Sequence, residues 1–419
     1  MKMINKSVLH ISSFDSQGAG GAAYKIHQSL IEKGYSSSML VMNKSKSDQS
    51  IIQVPINKIR RFFFRIIEKV QNYLNIFDSN YFFFNRGVYL VDDLRQITSC
   101  VKKKPDIIFV YWISKFISIS MVNELALLYG AKVYWWVLDK EPMTGGCHYV
   151  NDCRGYLTEC ASCPAVPRIF NKVPMLTYRA KKELLLNCDI KLVYTTPWMK
   201  QMLTESLLLR DLDHVYMPSY FNEDIFNIRK NVLDRNEYGI SQDDFVVIFG
   251  AVNVEEKRKG YKYLINSLLD YQERFGTQKV VLLTMGMGHL SLGLAGVKIK
   301  HIHLGPLNLE VERALVYNIG DILISPSTED MGPALLVEAM LCGLPAISFD
   351  IGVAKDIIKD GVNGYIAEFE NHIDISSKLY RHQKLSKEHC QEIRLRARSE
   401  VVSVFLKASY DEKIKEILS

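Results

Sequence analysis

The chain has 419 residues, 48% of them hydrophobic and 23% charged, with a formal net charge of +6. That length exceeds one compact domain, so two are expected, and the composition is that of a soluble globular chain rather than a disordered one. The mild positive charge suits phosphate ligands or an anionic membrane face and excludes the strongly basic footprint of a nucleic-acid binder.

The first residues, Met1 to Ser13, are too polar for a signal peptide and read as a first strand. No apolar run approaches a membrane span. Short β-rich runs then alternate with helical periods. Ser7 to Ser13, Ser38 to Met42, Asp106 to Trp112, Lys132 to Leu138 and Ile190 to Thr195 read as strands, and Ala22 to Lys33 and Tyr178 to Asn187 as helices. This alternation predicts a doubly wound α/β domain with a parallel sheet. Residues 57–84 interrupt it. There Lys58, Arg60, Arg61, Arg65 and Lys69 interleave with Phe62, Phe63, Phe64, Ile66 and Ile67, ahead of Phe82, Phe83 and Phe84. The segment reads either as an amphipathic helix on an anionic membrane surface or as a core helix with a solvated basic face.

Met217 to Asp244 is irregular and charged, as a linker would be. The alternation restarts with a strand from Phe245 to Phe249 and a helix from about Tyr261 to Phe275. A strand from Val280 to Thr284, a helix near Leu309 to Asn318, a strand from Asp321 to Ser325, a helix from about Pro333 and a strand from Pro345 to Phe349 follow. The expected organisation is a first domain over 1–220 (carrying the 57–84 insertion and a cysteine-rich loop over 144–166), a second over 221–395, and a C-terminal helix over 396–419 that crosses back to the first.

Three segments carry candidate chemistry. Gly18-Ala-Gly20-Gly21 follows the first strand, where glycines let backbone N–H groups close on a phosphate or a bound sugar. It lacks the full dinucleotide spacing, and no acidic residue stands at the end of strand two, which disfavours a nicotinamide enzyme. Arg258 and Lys259 precede Gly260 after the first strand of the second domain, where cations can neutralise a diphosphate. The loop after Ser325 holds Asp330, and the helix from Pro333 holds Glu338. Proline suits a first helical turn. The free N–H groups around Gly332, Pro333, Ala334 and Leu335 favour an anion. Glu338 sits in the apolar run Ala334 to Met340 and needs a partner or a function, which a pair of ligand hydroxyls would supply. A ligand with both phosphate and hydroxyls, a nucleotide sugar, reconciles two carboxylates with an anion site.

These residues resemble the group 1 (family 4) retaining glycosyltransferases of GT-B architecture, two Rossmann-like domains facing across a cleft. The resemblance runs through Asp330 and Glu338 as the family's acidic pair, Ala339-Met340, Gly343-Leu-Pro345 and Asp360-Gly-Val-Asn-Gly-Tyr365. Lys259-Gly260 matches the diphosphate-binding lysine, and Gly20-Gly21 the N-terminal glycine loop. The resemblance implies that a UDP- or GDP-sugar is the donor. It implies further that Glu338 holds the donor ribose, that Asp330 contacts the donor sugar, and that N–H groups near Pro333 to Leu335 meet the phosphates.

A second stretch, Leu138-Asp-Lys-Glu-Pro-Met-Thr-Gly-Gly-Cys147-His148-Tyr149 with Cys153, Cys160 and Cys163, is similar to a polysaccharide-assembly subgroup of that family. Relatives carry His-Asp where this chain has Leu138-Asp139, so Asp139 and His148 are the candidate substitutes. Relatives also carry Arg where this chain has Ala251, a loss Arg258 can replace. The four clustered cysteines admit two readings, a structural zinc site or four reduced thiols packed in a loop. Eight cysteines in all, without a secretory signal, point to a reducing cytoplasm.

The resulting expectation is a metal-independent hexosyltransferase that retains anomeric configuration and acts on a glycan or lipid-linked acceptor at the inner face of the cell membrane. The alternatives are a nucleotide-sugar epimerase or hydrolase, and a catalytically silent GT-B subunit that binds sugar or serves as a scaffold.

Overall fold

The computed structural model describes residues 6–16, 18–73, 81–83, 88–229, 235–276, 280–288, 299–332, 334–405 and 407–419. The chain divides into two compact units, Met1–Tyr220 with Asp411–Ser419, and Phe221–Tyr410.

The first unit is built on a seven-stranded parallel sheet. Its spatial order is Ile51–Gln53, Ser36–Asn43, Ser7–Phe14, Ile107–Val110, Lys132–Trp136, Ile190–Tyr194 and His214–Tyr216. Ile107–Val110 is buried at every position, as a parallel strand covered on both faces must be. Helices are set by local chemistry. The Ser118 hydroxyl caps Ile119–Tyr129, which Gly130 ends in the left-handed region. The Thr196 hydroxyl caps Pro197–Glu205, whose proline stands in the first turn. The winding reverses between Ser7–Phe14 and Ile107–Val110, so the carboxyl ends of these neighbours open the crevice in which doubly wound sheets bind ligands.

The second unit repeats the plan with six parallel strands: Lys300–His303, Val280–Met287, Phe245–Asn253, Ile322–Ser325, Ala346–Phe349 and Tyr365–Ala367. Strand alternation creates two cores. Val246 and Ile248 pack with Val281, Leu283 and Leu323 on one face, and Val247 and Phe249 with Leu282, Ile322 and Ile324 on the other. The winding reverses between Phe245–Asn253 and Ile322–Ser325. The basic loop and the Asp330 loop leave the sheet at those two strand ends.

Residues 396–419 fall in two helices, Lys387–Val404 and Lys407–Leu418, rather than one. The first buries Ile393, Ala397 and Val401. The end of the second joins the first unit, where Lys33 Nζ lies 3.0 Å from Asp411 and Lys6 Nζ donates to the Ser419 carbonyl at 2.6 Å. The 57–84 segment contains the helix Lys58–Tyr73 and a two-residue strand, Phe82–Phe83, paired antiparallel with Cys147–Tyr149. Phe84 lies outside the described residues.

Candidate functional site

In the second unit, the short turn Lys257–Lys259 brings the basic loop against the loop after Ser325. Gly260 makes this approach possible. Its φ is +73°, and a Cβ there would stand 1.7 Å from the Pro326 carbonyl oxygen. The Thr328 N–H then donates to the Arg258 carbonyl at 2.8 Å. Across this junction the Lys259 ammonium donates to Asp330 Oδ2, and Arg258 Nη1 reaches the same oxygen at 3.3 Å and the Glu329 carbonyl at 3.2 Å. Arg258 Nε also donates to Glu256 at 2.7 Å, and the Gly332 N–H to Asp330 Oδ1 at 3.2 Å. Burial pushes the Asp330 carboxyl up, but the Lys259 and Arg258 charges pull harder and hold it below its ordinary value. The result is an ionised carboxylate clamped between two cations at the sheet's switch point.

Glu338 lies on the helix Ala334–Leu341 and is 2% exposed. The sequence reading left its partner to a ligand. In the structure Arg313 grips it through Nε and Nη2, both at 2.8 Å, and the Tyr317 hydroxyl donates at 3.3 Å. Burial alone would weaken the Arg313 charge, yet Glu338 more than compensates and holds the guanidinium's pKa up. Three donors therefore converge on this buried carboxylate and fix its orientation. Gly332, Ala334 and Leu335 at the helix start are accessible. Pro333 lies outside the described residues.

In the first unit, Gly20 is where the helix Gly18–Glu32 touches the strand before it. A Cβ there would meet the Phe14 carbonyl oxygen at 2.6 Å, whereas at Gly21 it would make only ordinary contact, 3.9 Å from the Ser16 carbonyl carbon. Beside this turn, Asp15 is fully buried and accepts from the Ser45 and Lys46 N–H groups and the Ser45 hydroxyl. Burial raises the Asp15 carboxyl, but these donors outweigh it and leave its pKa lowered.

Asp139 and His148 do come together, with His148 Nδ1 2.6 Å from Asp139 Oδ2. Trp112 Nε1 lies 2.7 Å from the same Nδ1, and the Ser114 hydroxyl 2.8 Å from Nε2. His148 is 1% exposed and both ring nitrogens are engaged. In this arrangement His148 is a buried ring held by Asp139, Trp112 and Ser114. Leu138 lines a small pocket with Trp112, Glu141 and Pro142. Below it, Lys181 Nζ donates to Glu141 Oε1 at 2.7 Å and to the carbonyls of Glu141 and Thr144, in a buried ion pair that pins the Thr144–Tyr149 turn.

Cys147, Cys153, Cys160 and Cys163 line one cavity with Tyr156 and Pro174, as both readings of them require. All four are free thiols. Among the described residues no group of three or more His, Cys, Asp or Glu side chains is arranged to hold a metal ion, and the thiols make hydrogen bonds instead, which favours the packed-thiol reading of the two. The Gly145 N–H donates to Cys160 Sγ and the Gly155 N–H to Cys153 Sγ, each at 3.3 Å. The Cys147 thiol donates to Cys163, which together with backbone N–H groups outweighs burial and lowers the Cys163 pKa, while the same bond and burial raise that of Cys147.

Sequence reading missed Arg313, Tyr317, Trp112, Ser114 and the Lys181–Glu141 pair. One signal was available for the first two. Arg313 and Tyr317 stand four apart on one face of the helix Glu310–Ile319, and a cation on a face that buries Ala314 and Tyr317 needs a carboxylate.

Residues 232–400 match the family described as glycosyl transferases group 1. Over 133 residues the chain is 29% identical to an uncharacterized glycosyltransferase of Methanocaldococcus jannaschii, a match that spans 31% of this chain and 33% of that relative. The whole chain is similar in fold to sucrose-phosphate synthase from Thermosynechococcus elongatus (12% identity, TM-score 0.65, covering 99% of this chain and 98% of that one). It is likewise similar to Anabaena HepE solved with UDP and glucose (13% identity, TM-score 0.63, covering 98% and 99%). The second unit therefore carries a group 1 glycosyl transferase segment, and the two α/β units have the GT-B fold.

Proposed function

We propose that this chain is a retaining glycosyltransferase. It moves a sugar from a nucleoside-diphosphate sugar, UDP- or GDP-linked, to a sugar hydroxyl of a glycan or lipid-linked acceptor in surface polysaccharide assembly at the cytoplasmic face of the membrane. The observation that carries this reading is the Lys259–Asp330–Arg258 clamp beside the start of the helix Ala334–Leu341, inside the group 1 segment.

In this reading the diphosphate arrives at two cations already held in place, so little reorganisation is needed as charge develops on the leaving group. Lys259 and Arg258 take that charge together with the Ala334 and Leu335 N–H groups at the helix start. Asp330 stays ionised and accepts a hydroxyl of the donor sugar. Glu338, oriented by Arg313, accepts from the ribose. The bond between the sugar's anomeric carbon and the diphosphate oxygen breaks with its electron pair on oxygen. The acceptor oxygen bonds to the same face of that carbon, and its proton passes to the departing phosphate. The charge is carried by side chains and backbone, so the proposed reaction proceeds without a metal.

The test is turnover of a panel of nucleotide sugars, followed by donor consumption with and without glycan acceptors, with Lys259→Ala as control. Consumption of one donor, stimulated by acceptor, and a loss of about 100-fold in Lys259→Ala are expected. Binding of a donor with no consumption under any acceptor would favour a silent sugar-binding subunit, the second reading, which rests on Leu138 and the burial of His148. Consumption that no acceptor stimulates would favour an epimerase or hydrolase.

A further inference from the structure

We infer that the helix Lys58–Tyr73 is an interfacial anchor that docks the first unit on an anionic lipid bilayer. Its exposed face is apolar to an unusual degree. Ile59, Phe62, Phe63, Ile66, Val70 and Tyr73 are 66%, 62%, 58%, 40%, 48% and 87% exposed. At 3.6 residues per turn these six side chains fall within an arc of roughly 100°. Lys58, Arg61, Arg65 and Lys69 fall together along one border of that arc. Arg60, Phe64 and Glu68 lie on the far side, and Arg60 and Glu68 fix the helix to its unit. There Arg60 pairs with Asp92 and donates to the Tyr89 carbonyl at 3.0 and 2.7 Å, and Glu68 pairs with Lys115 at 2.5 Å.

This division fits the interfacial reading of the segment better than the core-helix reading. A core helix would turn its aromatic side chains inward. Here the anchoring contacts are polar, and the aromatic face points to solvent. Glu68, the helix's one acidic side chain, pairs with Lys115, and Asp92 beside the helix pairs with Arg60, so the carboxylates next to the helix are matched by cations. An apolar stripe bordered by cations is the complement of acyl chains beneath anionic headgroups. At sixteen residues the helix lies on such a surface, and among the described residues no helix is long and apolar enough to cross a membrane. The inference does not rest on the glycosyl-transfer reading, since it uses none of that site's residues.

The test is flotation of the full chain with vesicles of phosphatidylcholine containing 30% phosphatidylglycerol, and with pure phosphatidylcholine, at low and high salt. Bound fraction should fall at least tenfold on removing the anionic lipid or raising the salt. It should also fall at least tenfold in the Phe62→Ser/Phe63→Ser double variant and in the Arg61→Ala/Arg65→Ala/Lys69→Ala triple variant. Both variants should keep the native thermal midpoint, because the altered side chains protrude from the unit. Absence of binding to the anionic vesicles would overturn the inference. So would equal binding to the neutral ones, or sedimentation as a dimer that the Phe62→Ser/Phe63→Ser variant abolishes while vesicle binding is nil.

Discussion

Arg313 holds Glu338 through two parallel hydrogen bonds of 2.8 Å, beside the core residues Ala314, Tyr317, Val337 and Leu341 of the same two helices. The pair makes Glu338 structural as well as a candidate ligand. Glu338→Ala would strand a buried guanidinium and should cost about 3 kcal/mol of stability. Glu338→Gln keeps the shape and one acceptor and should cost less. Denaturant unfolding of both variants checks this, and equal midpoints would mean that Arg313 finds another partner.

Asp330 makes stability depend on acid pH in a stated direction. Its folded pKa lies below the ordinary value of 3.8, so its contribution is present above that value and is lost as pH falls through the folded pKa. Asp330→Asn should therefore destabilise the second unit by about 2 kcal/mol at neutral pH. The gap between native and variant should close below about pH 4. Unfolding midpoints measured from pH 7 down to pH 3 supply the comparison, and a gap that widens toward acid would contradict the sign.

The Lys181–Glu141 pair offers a test in the first unit. Lys181→Met leaves a buried carboxylate and two carbonyls without their donor and should cost about 3–5 kcal/mol. Adding Glu141→Leu should recover part of the loss. A double-mutant cycle with no coupling would show that the pair does not hold the Thr144–Tyr149 turn.

The thiol cluster predicts substoichiometric zinc in freshly reduced protein and four titratable thiols at Cys147, Cys153, Cys160 and Cys163 once it is unfolded. One zinc per chain, lost together with folding when chelated, would restore the zinc reading.

The sequence made the long central strands and the helix Tyr261–Phe275 legible because their periodicity is sustained. It did not reveal Ile51–Gln53, His214–Tyr216, Lys300–His303 or Tyr365–Ala367. Each is three or four residues long, and their pairing depends on a neighbour rather than on local pattern. The site divided in the same way. Asp330, Lys259 and Arg258 stood out because charge and glycine mark strand ends. Their mutual clamp did not, because it forms between segments about seventy residues apart in sequence. That His148 meets Asp139, Trp112 and Ser114 was not legible either, because those contacts come from separate segments of the first unit.

The most direct test of the central claim is calorimetric titration of the native chain and Lys259→Ala with UDP and with GDP. The account predicts saturable binding of one of the two to the native chain, and affinity lowered by about 100-fold in a Lys259→Ala variant that unfolds cooperatively. Binding of neither nucleotide to the folded native chain, or equal affinity in the variant, would contradict it.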